Sequence, residues 1–185
     1  MNKLLLFVLI VFLSLFVANA QDSRYGIRVG ANLSSISSDD IEEDAEDARI
    51  GVAVGFFAEY YVTNHISIQP ELQFSSQGNK AEDLRVNYIQ LPVIFKYNFN
   101  QVINLQLGPQ AGLKIWEWED NGLREANFNT INFAAVGGLG FNITDNFYID
   151  ARYEYGINNL YEQEGIQREF KGNLTNIQLS IGYRL

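Results

Sequence analysis

Residues 88–99 read YIQLPVIFKYNF. On an extended chain Ile89, Leu91, Val93, Phe95, Tyr97 and Phe99 fall on one side, and Gln90, Lys96 and Asn98 on the other. A period of two with unlike faces is the pattern of a strand. A run of about 10 residues is also long enough to cross a hydrocarbon core when tilted. Working outward, seven further segments repeat the alternation: 25–35, 51–62, 66–76, 102–116, 131–143, 147–156 and 174–185. No stretch of the mature chain sets apolar residues at helical spacing for long enough to compete. Eight strands, an even number, predict an all-β chain closed as an antiparallel up-and-down barrel.

The connections alternate in kind. Residues 63–65, 98–101 and 144–146 are short and rich in Asn, Asp and Thr, the chemistry of tight hairpin turns. Residues 37–49, 78–85, 117–129 and 158–173 are mostly much longer. Short turns at one rim and long loops at the other predict a transmembrane barrel with periplasmic turns and extracellular loops. A weak repeat supports two four-stranded halves: VTNHISI at 62–68 matches ITDNFYI at 143–149. Convergent turn chemistry explains the same match equally well.

Alternation leaves open which face points inward. A soluble, exported ligand carrier of lipocalin type also has eight strands, and its apolar faces would line a cavity. Three features favour the membrane barrel. The polar faces carry Gly26, Gly30, Gly108, Gly112, Gly138 and Gly140, which leave room for large neighbours in a narrow lumen. Their charges nearly cancel, with Arg28, Lys96, Lys114, Arg152 and Arg184 against Glu59, Glu71, Asp150 and Glu154. A closed interior needs such balance, since an unpaired buried charge costs several kcal/mol. Tyr60, Tyr97, Phe99, Phe147, Tyr153, Tyr155 and Tyr183 lie toward strand ends, as interfacial girdles do.

The first twenty of the 185 residues are expected to be removed. Lys3, an apolar run from Leu4 to Phe16 broken by Ser14, and Ala18-Asn19-Ala20 before Gln21 describe a secretory signal peptide. The run is too short for the ~20 residues of a membrane-spanning helix. Residues 21–185 then form the barrel domain. The chain has no cysteine, so neither a disulfide framework nor a lipid-modified cysteine is available. Loss of Lys3 takes the formal charge from -9 to -10, which argues against nucleic acid as a partner. Sixteen of the 22 acidic residues fall in the four long loops beside six basic ones, concentrating the net charge on one rim.

Pro70, Pro92 and Pro109 interrupt assigned strands. Proline has no N–H for the ladder and a closed barrel has no free edge, so a bulge or gap is expected where Pro92 and Pro109 lie at similar height.

With these segments assigned, the chain resembles the small outer-membrane β-barrels of Bacteroidetes often called PorT-like. The resemblance rests on Tyr88-Ile89-Gln90-Leu91-Pro92 with Lys96, on Gln69-Pro70-Glu71-Leu72-Gln73-Phe74 ending in Gly78, on the opening 26–32 (GIRVGAN) and on the closing 179–183 (LSIGY). It implies an OmpA-type eight-stranded barrel inserted by the outer-membrane assembly machinery, bathed in outer-membrane lipid and lipopolysaccharide. A link to protein secretion, known for some members, and a surface partner taken by the loops are further implications. No catalytic motif comes with it. Leu185 departs from the aromatic residue that more often ends such barrels.

Catalysis finds little support. The single histidine, His65, lies in a short turn, away from the long loops, and without cysteine the usual nucleophile–base pairs are missing. Glu59, Glu71, Asp150 and Glu154 read as members of an inward salt-bridge network with Arg28, Lys96, Arg152 and Arg184, because a barrel this small is filled by its own side chains. No catalytic, cofactor-binding or metal residue is assigned. The acidic run 39–47 could gather divalent cations but lacks the glycine and spacing of a calcium loop. Trp116 and Trp118 read as interfacial anchors. The expectation is a non-enzymatic outer-membrane protein with a structural, adhesive or secretion-accessory role. The alternatives are a soluble ligand carrier and a surface enzyme with a loop-borne site.

Overall fold

The computed structural model describes residues 23–37, 48–80, 85–117, 129–159 and 172–185. The expected signal peptide, the acidic run 39–47 and Trp118 lie outside them. The eight strands are β1 Ser23–Ser37, β2 Arg49–Tyr61, β3 Ile66–Gly78, β4 Arg85–Asn98, β5 Ile103–Glu117, β6 Ile131–Asn142, β7 Phe147–Gly156 and β8 Asn173–Arg184. Each pairs with the next, and β8 closes on β1. All pairings are antiparallel. Expected boundaries differ by up to three residues, most at the start of β4, where the faces still alternate but the apolar Val86 and Tyr88 fall on the buried side.

Burial decides the orientation of the faces. Phe56 and Leu179 are 66% and 60% exposed on the outer wall, whereas Arg28 and Gln178 are 2% and 0% exposed within. The apolar faces therefore point outward, which overturns the ligand-carrier alternative: the surface that would have lined a cavity is the surface offered to lipid. At the short-turn rim the outer wall carries contacting aromatics, with Phe147 and Tyr183 ring centroids 4.8 Å apart and Tyr97 and Phe99 5.2 Å apart.

All three prolines sit at ladder gaps. The β2–β3 pairing skips from Phe57↔Glu71 to Tyr60↔Ile68 around Pro70. The β3–β4 pairing skips from Pro70↔Val93 to Gln73↔Gln90 around Pro92, and β4–β5 from Pro92↔Gln110 to Phe95↔Leu107 around Pro109. Register is the same on both sides of each gap, so a missing N–H opens the ladder without inserting a residue. The register shift of β4–β5 lies instead between Asn87 and Tyr88, near the loop rim, and Ile115 and Trp116 are both exposed there.

The short turns are closed by side-chain acceptors. Thr63 Oγ1 accepts from the N–H of His65 and Ile66, and Thr144 Oγ1 does the same for Asn146 and Phe147. Asn100 Oδ1 accepts from Val102 and Ile103 in the turn between them. At the opposite rim, Gly78 has φ 116°, a conformation open to glycine. Asn79 beyond it takes the Ile36 N–H at 2.6 Å and gives to the Ile36 carbonyl at 3.3 Å, standing in for β2 where β2 has not begun.

Candidate functional site

The lumen is the most heavily built part of the molecule. Four cations and four carboxylates are buried in it: Arg28, Lys96, Arg152 and Arg184 with Glu59, Glu71, Asp150 and Glu154. Mid-barrel, Arg28 donates to Glu71 Oε2 at 2.7 Å, Asp150 Oδ1 at 2.8 Å and Ser180 Oγ at 2.7 Å. Arg152 grips Glu71 with both terminal nitrogens, at 2.9 and 2.7 Å, and Gln106 through Nε at 2.8 Å. These two arginines and two carboxylates form a neutral square spanning β1, β3 and β7.

A second cluster lies toward the short turns. Glu59 accepts from Ser67 at 3.0 Å, Lys96 at 3.3 Å and Arg184 at 3.1 Å. Lys96 also donates to Gln69 Oε1. The Tyr148 ring lies between the two cations, with Lys96 Nζ 5.0 Å and the Arg184 guanidinium 4.7 Å from its centroid. Glu154 stands nearer the loops and accepts from Gln77 and Gln110 at 3.0 and 3.2 Å. Lys114 is half-buried toward the loop end of β5.

Several lumen residues escaped the sequence reading. Phe57, Tyr88, Ile94 and Tyr148 are buried among the polar groups, whereas Asn32 and Gln178 lie on the inward face expected of them. The signal that finds Phe57 and Tyr148 is pairing with glycine, which large lumen residues of the polar face share. Tyr148 lies opposite Gly182, Phe57 opposite Gly26, Arg152 opposite Gly138 and Asp150 opposite Gly140; Arg28 lies between Gly55 and Gly182. A Cβ on Gly182 would enter the Tyr148 ring, and one on Gly26 the Phe57 ring.

At the short-turn rim, a polar bowl of about 860 Å³ is lined by Arg24, Tyr61, His65, Asn100, Asp145 and Arg184, among others. Many of its groups are engaged in holding the turns: Arg24 and Arg184 donate to the Asp145 carbonyl at 3.1 and 3.4 Å, and Asn142 to Gln101 at 2.9 Å. His65 stacks on Tyr97, their ring centroids 6.4 Å apart. Among the described residues no group of three or more His, Asp or Glu is arranged to hold a metal ion.

Known proteins share this architecture. The family model of the outer membrane protein β-barrel domain matches residues 19–162. Neisserial surface protein A superimposes with a TM-score of 0.62 at 13% identity, over 89% of this chain and 100% of its own. Ail, the attachment invasion locus protein of Yersinia pestis, gives 0.53 at 18% identity over 89% and 100%. The same protein in complex with the heparin analogue sucrose octasulfate gives 0.50 at 19% over the same shares. At such identities the likeness is one of fold. No curated protein matches the chain.

Proposed function

The chain belongs to the outer membrane protein β-barrel domain family, and from that membership we propose that it is a non-enzymatic surface protein whose filled barrel anchors its acidic loops. One observation carries the reading: the lumen is crossed at mid-height by the paired square of Arg28, Glu71, Asp150 and Arg152, which leaves the rims as the places where a partner can act. The short turns face the periplasm and the long loops the exterior. Outer-leaflet lipid and lipopolysaccharide meet the apolar wall, and the assembly machinery takes the terminal strand with Tyr183. The activity resides in the loops after β1, β5 and β7 and is structural, adhesive or accessory to secretion, the last in keeping with the PorT-like motifs of β3 and β4.

The test has two arms. Protein reconstituted in planar bilayers is expected to conduct no more than the bare membrane, while its gel mobility shifts on boiling. Deletion of residues 39–47 should leave that shift intact and abolish surface adhesion or partner capture by intact cells. Steady conductance would overturn the filled-anchor reading, and unchanged adhesion would remove the acidic loop from it.

A further inference from the structure

Asn32 organises the lumen between the charged square and the loop rim. Its Nδ2 donates to the Val52 carbonyl at 3.3 Å, Ser75 Oγ at 2.9 Å and the Ser76 carbonyl at 3.1 Å. Carbonyl oxygens only accept, so this amide cannot be turned round. Its Oδ1 therefore faces β8, where it takes Asn176 Nδ2 at 3.2 Å and Gln178 Nε2 at 2.9 Å. Both β8 amides are thereby oriented as well. Their oxygens, Asn176 Oδ1 and Gln178 Oε1, are buried and accept a hydrogen bond from no described residue.

Directly across the β7–β8 ladder, Asn176 pairs with Glu154. Opposed residues on one face hold their Cβ atoms about 5 Å apart. Glu154 is 4% exposed, is held by two glutamine amides, and forms no ion pair with a described cation. The mid-barrel square is already neutral, so it offers no spare positive charge. The cluster of Lys96, Arg184 and Glu59 carries an excess cation, but it lies at the opposite, short-turn end of the lumen, where Arg184 borders the polar bowl. Toward the loops, Ile36 and Leu174 are paired and buried one step above Asn176, closing the site with apolar side chains.

We propose that Glu154, Asn176 and Gln178 bind a monovalent cation inside the barrel. One carboxylate and two amide oxygens are the donor chemistry of a hard cation. A single positive charge cancels that of Glu154, whereas a divalent ion would leave an excess beside Arg152, two residues away on the same face of β7. The ion gives Asn176 Oδ1 and Gln178 Oε1 the partner that the hydrogen-bond pattern of Asn32 denies them, and it balances the charge of Glu154.

Sodium is the probe in solution. The wild-type barrel, folded in detergent, is unfolded by heat in sodium chloride and in choline chloride of equal ionic strength. With a dissociation constant near 15 mM, 0.15 M sodium raises the folded-to-unfolded ratio about 11-fold at the choline midpoint. Glu154→Gln removes the charge and is expected to give the same midpoint in both salts. Equal midpoints for the wild type would overturn the proposal, as would a sodium effect that survives in E154Q, since the loop acids would then be its source. A direct measurement needs no variant: wild-type crystals soaked in thallium(I) are expected to show an anomalous peak against Glu154 and Asn176. A site holding only a proton or water gives no such peak and sinks the proposal even if E154Q fails to fold.

Discussion

Glu71 is the most heavily bonded carboxylate of the lumen, and Glu71→Gln is the sharpest test of what the charged square contributes. Its Oε2 accepts from Arg28 and Arg152 at 2.7 and 2.9 Å, and its Oε1 from Arg152 and Gln69 at 2.7 and 2.6 Å. Glutamine keeps one acceptor oxygen and turns an NH₂ group against a guanidinium. Removing one partner of a buried pair costs about 3–5 kcal/mol, because the charge left behind is buried without compensation. Asp150 still takes Arg28 at 2.8 Å and Arg152 at 3.4 Å, so the expected loss lies near the lower figure, about 3 kcal/mol. Urea unfolding from lipid vesicles measures it, followed by the fluorescence of Trp116 on the outer wall and by gel mobility. The double variant E71M/R152M, which removes both partners and leaves the Arg28–Asp150 pair, should be less destabilised than E71Q. An E71Q barrel within about 1 kcal/mol of the wild type would show that water replaces the lost bonds and that the square is not a closed plug.

Four further outcomes follow from the geometry. Gly182→Ala drives a methyl group into the Tyr148 ring and is expected to cost about 1–3 kcal/mol, recovered in part by Tyr148→Ser, as equilibrium unfolding would reveal. Gly108→Ala meets the Val93 carbonyl instead, so no side-chain truncation should relieve it. Leu179→Arg puts a charge on the lipid-facing wall and should destabilise the barrel by about 2–4 kcal/mol in vesicles, whereas a water-facing position would tolerate it. Pro92→Ala returns an N–H to the interrupted β3–β4 ladder; its net stability change should stay within about 1 kcal/mol, since the gained bond is offset by a freer unfolded chain. Hydrogen exchange would read the new amide as protected, and rapid exchange there would mean that the strands stand too far apart at the gap for a bond to form.

The clusters of the lumen were only partly legible. Arg28, Glu59, Glu71, Lys96, Asp150, Arg152, Glu154 and Arg184 could be assigned to one face because alternation is local and needs only neighbouring residues. Their partners could not. Arg28 meets Asp150 across 122 residues of sequence and Glu71 across 43, and those encounters depend on register and on the stagger of the closed barrel. Phe57, Tyr88 and Tyr148 went unread for a related reason: an aromatic on the polar face looks like an exception until a glycine is found beside it.

What the sequence by itself determined is the repeat of eight two-faced strands, the alternation of short turns with long loops, and the concentration of acid on one rim. Each is written in residues within a few positions of one another. The tertiary structure decided what depends on closure: that the apolar face looks outward, that proline gaps leave register unchanged, and that the mid-barrel square is neutral while Glu154 stands apart from it. The physical reason is that a strand carries its periodicity in its own sequence, whereas the partner of a buried charge is chosen only when distant strands are brought into register around a common lumen.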